Sequence, residues 1–249
     1  MEAMKRAWHS SLILAVSAVV LATITTGCSG SKVTTKSSNE LARYKIRSIV
    51  LMPFTSIATP QVSDQDDLFV STPQSLRRSD ISLAIPRDIQ PPPRQTMVVP
   101  GYAAEKVTEL FWGRLQDRKG LLVLSPSDAV RVSSADGELA KMGPEKTSAA
   151  VAKRLKVDAA LFGRVLVYQE RVGSRLGANP PATVGFEAKV VATDGQVLWV
   201  GGYYERQRPM NEDLLGFLQR WAFVTAAELA EYGVEEVLQD FPFGVGKGE

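Results

Sequence analysis

The chain of 249 residues contains one cysteine, Cys28, and one histidine, His9. A lone cysteine excludes a disulfide within the chain, and the pair excludes a zinc site built from cysteines and histidines. Ser-His-Asp and Cys-His catalysis need a histidine in the working protein, and His9 lies in a segment that reads as a removable leader. An excess of either charge is also missing, since 29 Lys and Arg face 27 Asp and Glu. Nucleic acid calls for a clustered basic surface, and this balance gives no case for one. These absences argue against an enzyme and call for no cofactor and no metal.

The N-terminus is the most informative segment present. Lys5 and Arg6 precede an uncharged, mostly apolar run from Ser10 to Ile24, the order of a secretory signal peptide occupying residues 1–27. The run falls short of the ~20 apolar residues of a membrane-spanning helix. Ile24-Thr25-Thr26-Gly27-Cys28 resembles a bacterial lipobox, with Thr25 where that pattern usually carries an aliphatic residue. The resemblance implies cleavage before Cys28, acylation of Cys28 with palmitate-type chains, and a mature chain without histidine. Each buried CH₂ of such a chain contributes about 0.8 kcal/mol, so several chains on one residue make a stable anchor. Ser29 in place of Asp implies, by the sorting rule of these lipoproteins, the outer membrane. Ser29 to Glu40 is polar and free of aromatic residues, a composition that offers little to offset folding entropy. It predicts a flexible tether over residues 28–43, of which Ser29 to Glu40 would span roughly 17–21 Å as a coil.

A single α/β domain is expected over residues 44–243, followed by a disordered tail, 244–249. Ile49-Val50-Leu51-Met52 reads as a buried strand stopped by Pro53. Residues 55–100 form a Pro-rich insert, with Ile81 to Ile85 as its one strand candidate. Ala103, Val107, Leu110, Phe111 and Leu115 share one face of a helix over Tyr102 to Arg118. Leu121 to Leu124 is a short strand, and Ser125-Pro126-Ser127-Asp128 is a helix start. Together these predict a parallel crossover. Pro144 to Lys156 is a further helix. Ala159–Arg171, Val184–Ala192 and Val197–Arg206 predict a three-stranded antiparallel meander. Asp194-Gly195 is expected to supply the positive φ angles of a primed turn. Asn211 opens one helix, and Thr225-Ala226-Ala227-Glu228 is a capping box for the last.

The succession IVLMPF, TELFWGRLQDRKGLLVLSPSDAV, AKRLKVDAALFGRVLVYQERVGS and GFEAKVVATDGQVLWVGGYYERQ resembles a superfamily of envelope lipoproteins. These share the fold of the amino-terminal domain of TolB. The superfamily includes the curli secretion channel lipoprotein and the lipoprotein that activates a penicillin-binding protein. The resemblance implies a mixed sheet, a parallel pair plus a three-stranded meander with packed helices. It also implies a non-enzymatic protein that works by binding other proteins. Asp158, Gly163, Asp194, Gly195 and Trp199 carry over with strand-entry, close-packing or turn roles.

Other candidates are weaker. Asp64, Asp66 and Asp67 fail the spacing of a calcium loop, because Phe69 and Ser75 stand where Gly and Glu are required. The Gly244–Gly248 run precedes no helix and lacks the hydroxyl residue of a phosphate loop. Glu170 with Glu187, or Ser174 with a lysine, has no catalytic spacing. Trp112, Trp199 and Trp221 are expected in packing roles. Pro91-Pro92-Pro93 followed by Arg94 should form an extended polyproline segment, a candidate partner-binding surface. Its basic neighbours Arg77, Arg78 and Arg87 could instead pair with the acidic last helix. The expected protein is a periplasm-facing outer-membrane lipoprotein that acts as an adaptor, in assembly or as a secretion accessory. The envelope partner is unnamed and homo-oligomerisation is left open. The alternative is an oligomeric secretion-channel lipoprotein.

Overall fold

The computed structural model describes residues 32–58, 61–62, 96–208 and 222–246. Its framework is one seven-stranded sheet. In chain order the elements are β1 (Val33–Ser37), β2 (Ser48–Leu51), β3 (Thr55–Ser56), β4 (Gln61–Val62), β5 (Thr96–Met97), α1 (Gly101–Leu115), β6 (Leu122–Leu124), α2 (Pro126–Ser134), α3 (Pro144–Leu155), β7 (Ala159–Gln169), β8 (Thr183–Ala192), β9 (Val197–Arg206) and α4 (Ala226–Gln239). The strand order is β1-β9-β8-β7-β2-β6, and β3 continues alongside β7 beyond β2. β2 lies between β6 and β7 and runs parallel to both. It is therefore buried on both faces, which is why its run is continuously apolar. β7, β8 and β9 form the expected antiparallel meander.

Alternation along the strands sorts the side chains into two cores. On one face Ile49, Leu51, Leu161, Val165, Phe186, Val190, Trp199 and Tyr203 meet α1 and α4. On the other, Val50, Met52, Ala160 and Phe162 meet Ala129 of α2 and Val151 and Ala152 of α3. The helices start where their caps dictate. The Ser125 side chain accepts from the Asp128 N–H, and Thr225 and Glu228 form a complete capping box at α4.

Three expectations about boundaries are corrected. Val33–Ser37, placed by composition in the flexible tether, is β1, antiparallel to β9 with Val33 opposite Tyr203 and Ser37 opposite Trp199. A segment with little to bury can still satisfy its backbone on an existing sheet edge. Lys32 Nζ also pairs with the buried Glu205 carboxylate at 3.1 Å, and Thr35 Oγ1 donates to Asp240 at 2.8 Å. The folded unit accordingly begins at Lys32, not Tyr44. At the other end, Gly244 to Gly246 is held rather than disordered. Lys119 and Val245 exchange backbone hydrogen bonds of 3.1 and 2.9 Å. Arg118 donates to the carbonyls of Leu238, Phe241, Phe243 and Gly244. The insert is also partly structured: β3 pairs with β7, and Gln61–Val62 pairs with Thr96–Met97. The expected strand at Ile81–Ile85, the helix opened by Asn211, and residues 247–249 lie outside the described residues.

The β8–β9 turn differs in detail. Gly195 has a φ of +92°, whereas Asp194 is not among the positive-φ residues. The Gly195 N–H donates to the Ala192 carbonyl and the Ala192 N–H to the Gln196 carbonyl. This is a longer hairpin loop closed by one glycine bulge, so only one left-handed residue is needed.

Candidate functional site

Cys28 and Pro91, Pro92, Pro93 and Arg94, the residues singled out for lipid attachment and partner binding, lie outside the described residues, as do Asp64 to Asp67 and Trp221. The superfamily positions are described, and each is structural. The Asp158 carboxylate accepts from the N–H groups of Arg47 and Ser48 at 2.9 Å each and from the Ser48 hydroxyl at 2.8 Å. The Ser48 hydroxyl in turn accepts from the Asp158 N–H. Burial alone would push the Asp158 carboxyl up, but the donors from Arg47 and Ser48 outweigh it and hold the group below its usual range. Asp158 thus joins the starts of two parallel strands.

Gly163 lets the Phe54 ring lie against β7. A Cβ there would stand 2.1 Å from the ring and 2.5 Å from the Glu187 carbonyl oxygen. The Phe54 N–H donates to Thr108 Oγ1, which itself donates to the Ala104 carbonyl within α1. Trp199 is 1% exposed and meets Phe241 edge-on at 5.1 Å. Asp194 accepts from the Tyr44 hydroxyl at 2.7 Å and from the Gln196 N–H at 2.9 Å. The Gln196 N–H first, then the Tyr44 hydroxyl, lower its pKa.

The imagined catalytic pairs do not assemble. Both Glu170 carboxylate oxygens accept from the Ala226 N–H at 3.2 Å, at the N-terminus of α4, where a negative charge is favoured. Glu187 instead pairs with Arg164 at 3.5 Å and Lys189 at 3.4 Å, and Lys189 reaches Glu145 at the start of α3. These groups line an open cleft of about 210 Å³ with Pro144, Phe162 and Gly163. The volume is below the ~300 Å³ of ordinary small-molecule sites. No Ser, Thr or Cys is among the described residues that line it, and its cations already face carboxylates. Among the described residues there is no cluster of metal-ligating side chains.

The acidic ridge of α4 has partners among the described residues. Arg114 of α1 pairs with Glu231 and Glu235, and Arg175 of the β7–β8 loop pairs with Glu228 at 2.6 Å. That loop is rich in glycine and proline. It is an ordered hairpin in which the Val172 N–H donates to the Pro180 carbonyl, the Asn179 N–H to the Val172 carbonyl and the Ser174 N–H to the Gly177 carbonyl. Leu176 at its tip is 87% exposed, the most exposed large apolar side chain among the described residues. Alternating pattern could not reveal it, because the hairpin is held by contacts such as Phe223 N–H to the Arg175 carbonyl.

No protein-family model and no curated protein matches the sequence. Among solved structures, the chain is similar to the PelC dodecamer from Paraburkholderia phytofirmans, with a TM-score of 0.44 at 11% identity over 86% of this chain and 97% of that one. It is also similar to lipoprotein GNA1162 from Neisseria meningitidis (TM-score 0.32, 18% identity, 70% and 92% of the two chains). The C-terminal domain of LpoB from Escherichia coli follows (0.34, 10%, 75% and 93%). The described residues have the mixed α/β sheet that the sequence resemblance implies.

Proposed function

We propose that this chain is a periplasm-facing lipoprotein of the outer membrane, anchored through acylated Cys28, which acts without catalysis as an adaptor, in assembly or as a secretion accessory. One observation carries the reading: a lipobox ending at Cys28 is followed within four residues by the first residue of a folded α/β domain. That the described titratable groups serve as strand ties, helix caps and ion pairs supports a role in binding over one in chemistry. Among the described residues no helix is long and apolar enough to cross a membrane, and the lipid on Cys28 is the attachment this reading requires. The long strands β7, β8 and β9 give the channel alternative no support, because their apolar face is occupied by α1 and α4.

The test is Cys28→Ala in the producing cell. Loss of lipid labelling and release from the membrane fraction are expected; unchanged fractionation refutes the anchor. Affinity capture from crosslinked envelopes, compared between the two forms, then identifies the partner.

A further inference from the structure

The lipid anchor is joined to a particular end of the sheet. Lys32 is four residues after Cys28, so extended chain reaches at most about 14 Å between them. The Lys32 carbonyl accepts from the Tyr204 N–H, and Tyr204 is opposite Gly185 near the start of β8. β9 alone separates β1 from β8, so the chain enters the sheet roughly 10 Å from Gly185, two residues from the end of β8 that leads into the β7–β8 hairpin. The β8–β9 turn is at the other end of β8, roughly 30 Å away.

At the entry end, the β7–β8 hairpin presents Leu176, 87% exposed, and Val172, 62% exposed. Arg171 and Arg175 lie beside them, and the nearest carboxylates, Glu170 and Glu228, are engaged at the start of α4 with the Ala226 N–H and with Arg175. The Arg175 guanidinium is turned to Glu228, and Arg171 donates to the Gly173 carbonyl. Arg171 is thereby held at the base of the hairpin, while Arg175, in the same turn as Leu176, is turned back to α4. Apolar residues flanked by arginine suit the boundary between acyl chains and anionic headgroups. Two apolar side chains would not hold a free protein on a bilayer. For a protein already anchored within a few residues of the same place, the contact is effectively intramolecular and weak contacts suffice.

We propose that the β7–β8 hairpin rests on the lipid surface that holds Cys28, with Leu176 entering the interface, so that the open end of the domain is turned toward the membrane and the β8–β9 turn away from it. This rests on the anchor reading above, and the experiment separates the two.

The full-length lipidated protein is reconstituted in phosphatidylethanolamine–phosphatidylglycerol vesicles, carrying Leu176→Cys or, as control, the exposed Thr193→Cys at the far turn, each labelled with a polarity-sensitive fluorophore. Acylated Cys28 leaves no competing thiol. The expected result is quenching by spin-labelled lipid at least about twofold stronger at position 176 than at 193, weakened when the anionic lipid is omitted. Equal quenching at the two positions in protein that floats with the vesicles overturns the proposal and leaves the anchor standing. Shielding of position 176 from aqueous iodide without quenching by lipid also overturns it, in favour of a protein contact such as a second copy. Failure to float with vesicles removes the anchor reading and this inference with it.

Discussion

The two faces of the sheet are made by the same strands but carry different contents. Under α1 and α4 lie Phe111, Phe186, Trp199, Tyr203 and Phe241, in ring contacts of 5.1 to 5.7 Å. There Gly233 of α4 brings the helix down on the Tyr203 ring, since a Cβ would stand 2.3 Å from it. The face under α2 and α3 is smaller and mostly aliphatic, and its cover stops at the start of α3. Beyond that point Arg164, Glu187 and Lys189 line the cleft. The first face therefore holds the larger, aromatic core, while the cleft end of the second leaves room for substitution.

The difference is sharpest for Trp199→Ala, which removes a fully buried aromatic and leaves a cavity. A loss of about 4 kcal/mol in urea unfolding is expected. Gly163→Val should follow at about 3 kcal/mol, because Phe54 and the backbone of Glu187 cannot both retreat. A cost near zero would show that β3 and Phe54 are not packed as described.

Asp158 ties strands that serve both faces. Its folded-state pKa lies below the usual value near 3.8. Its stabilisation is therefore present above that value and is lost as pH falls through the folded pKa. Asp158→Asn should lower stability at neutral pH by about 1 kcal/mol and flatten the loss between neutral pH and strong acid. An unchanged acid profile would assign that loss to other carboxylates, such as Glu228, whose pKa the Thr225 N–H lowers. The smallest effect belongs to the open face, where Arg164→Ala should change stability by less than about 0.5 kcal/mol. A cost comparable to Trp199→Ala would erase the contrast between the faces.

The meander, the parallel pair and the caps at Ser125 and Thr225 are legible because they are local. Alternation from Val184 to Ala192 names the face that α1 and α4 cover, and a capping box is completed within four residues. β1 is illegible for the opposite reason. Nothing in Val33–Ser37 is strongly apolar, and its ladder partners in β9 are far along the chain. The charged cleft is hidden likewise, since Lys189 meets Glu145 only after the sheet and α3 pack. At Asp194-Gly195 local reading recognised the turn but assigned it one left-handed residue too many, because loop length selects the turn type and the strand register fixes that length.

By itself, the sequence determines the lipobox-like pattern that ends at Cys28, the α/β class and the absence of histidine from residues 28–249, because these depend on composition, periodicity and neighbouring residues. Tertiary structure alone decides that the supposed tether becomes an edge strand, that Arg118 gathers the C-terminal carbonyls, and that Leu176 stands at the same end of the sheet as the chain's entry. Those outcomes depend on which backbone edges and side chains meet when distant segments pack, and no local pattern encodes that.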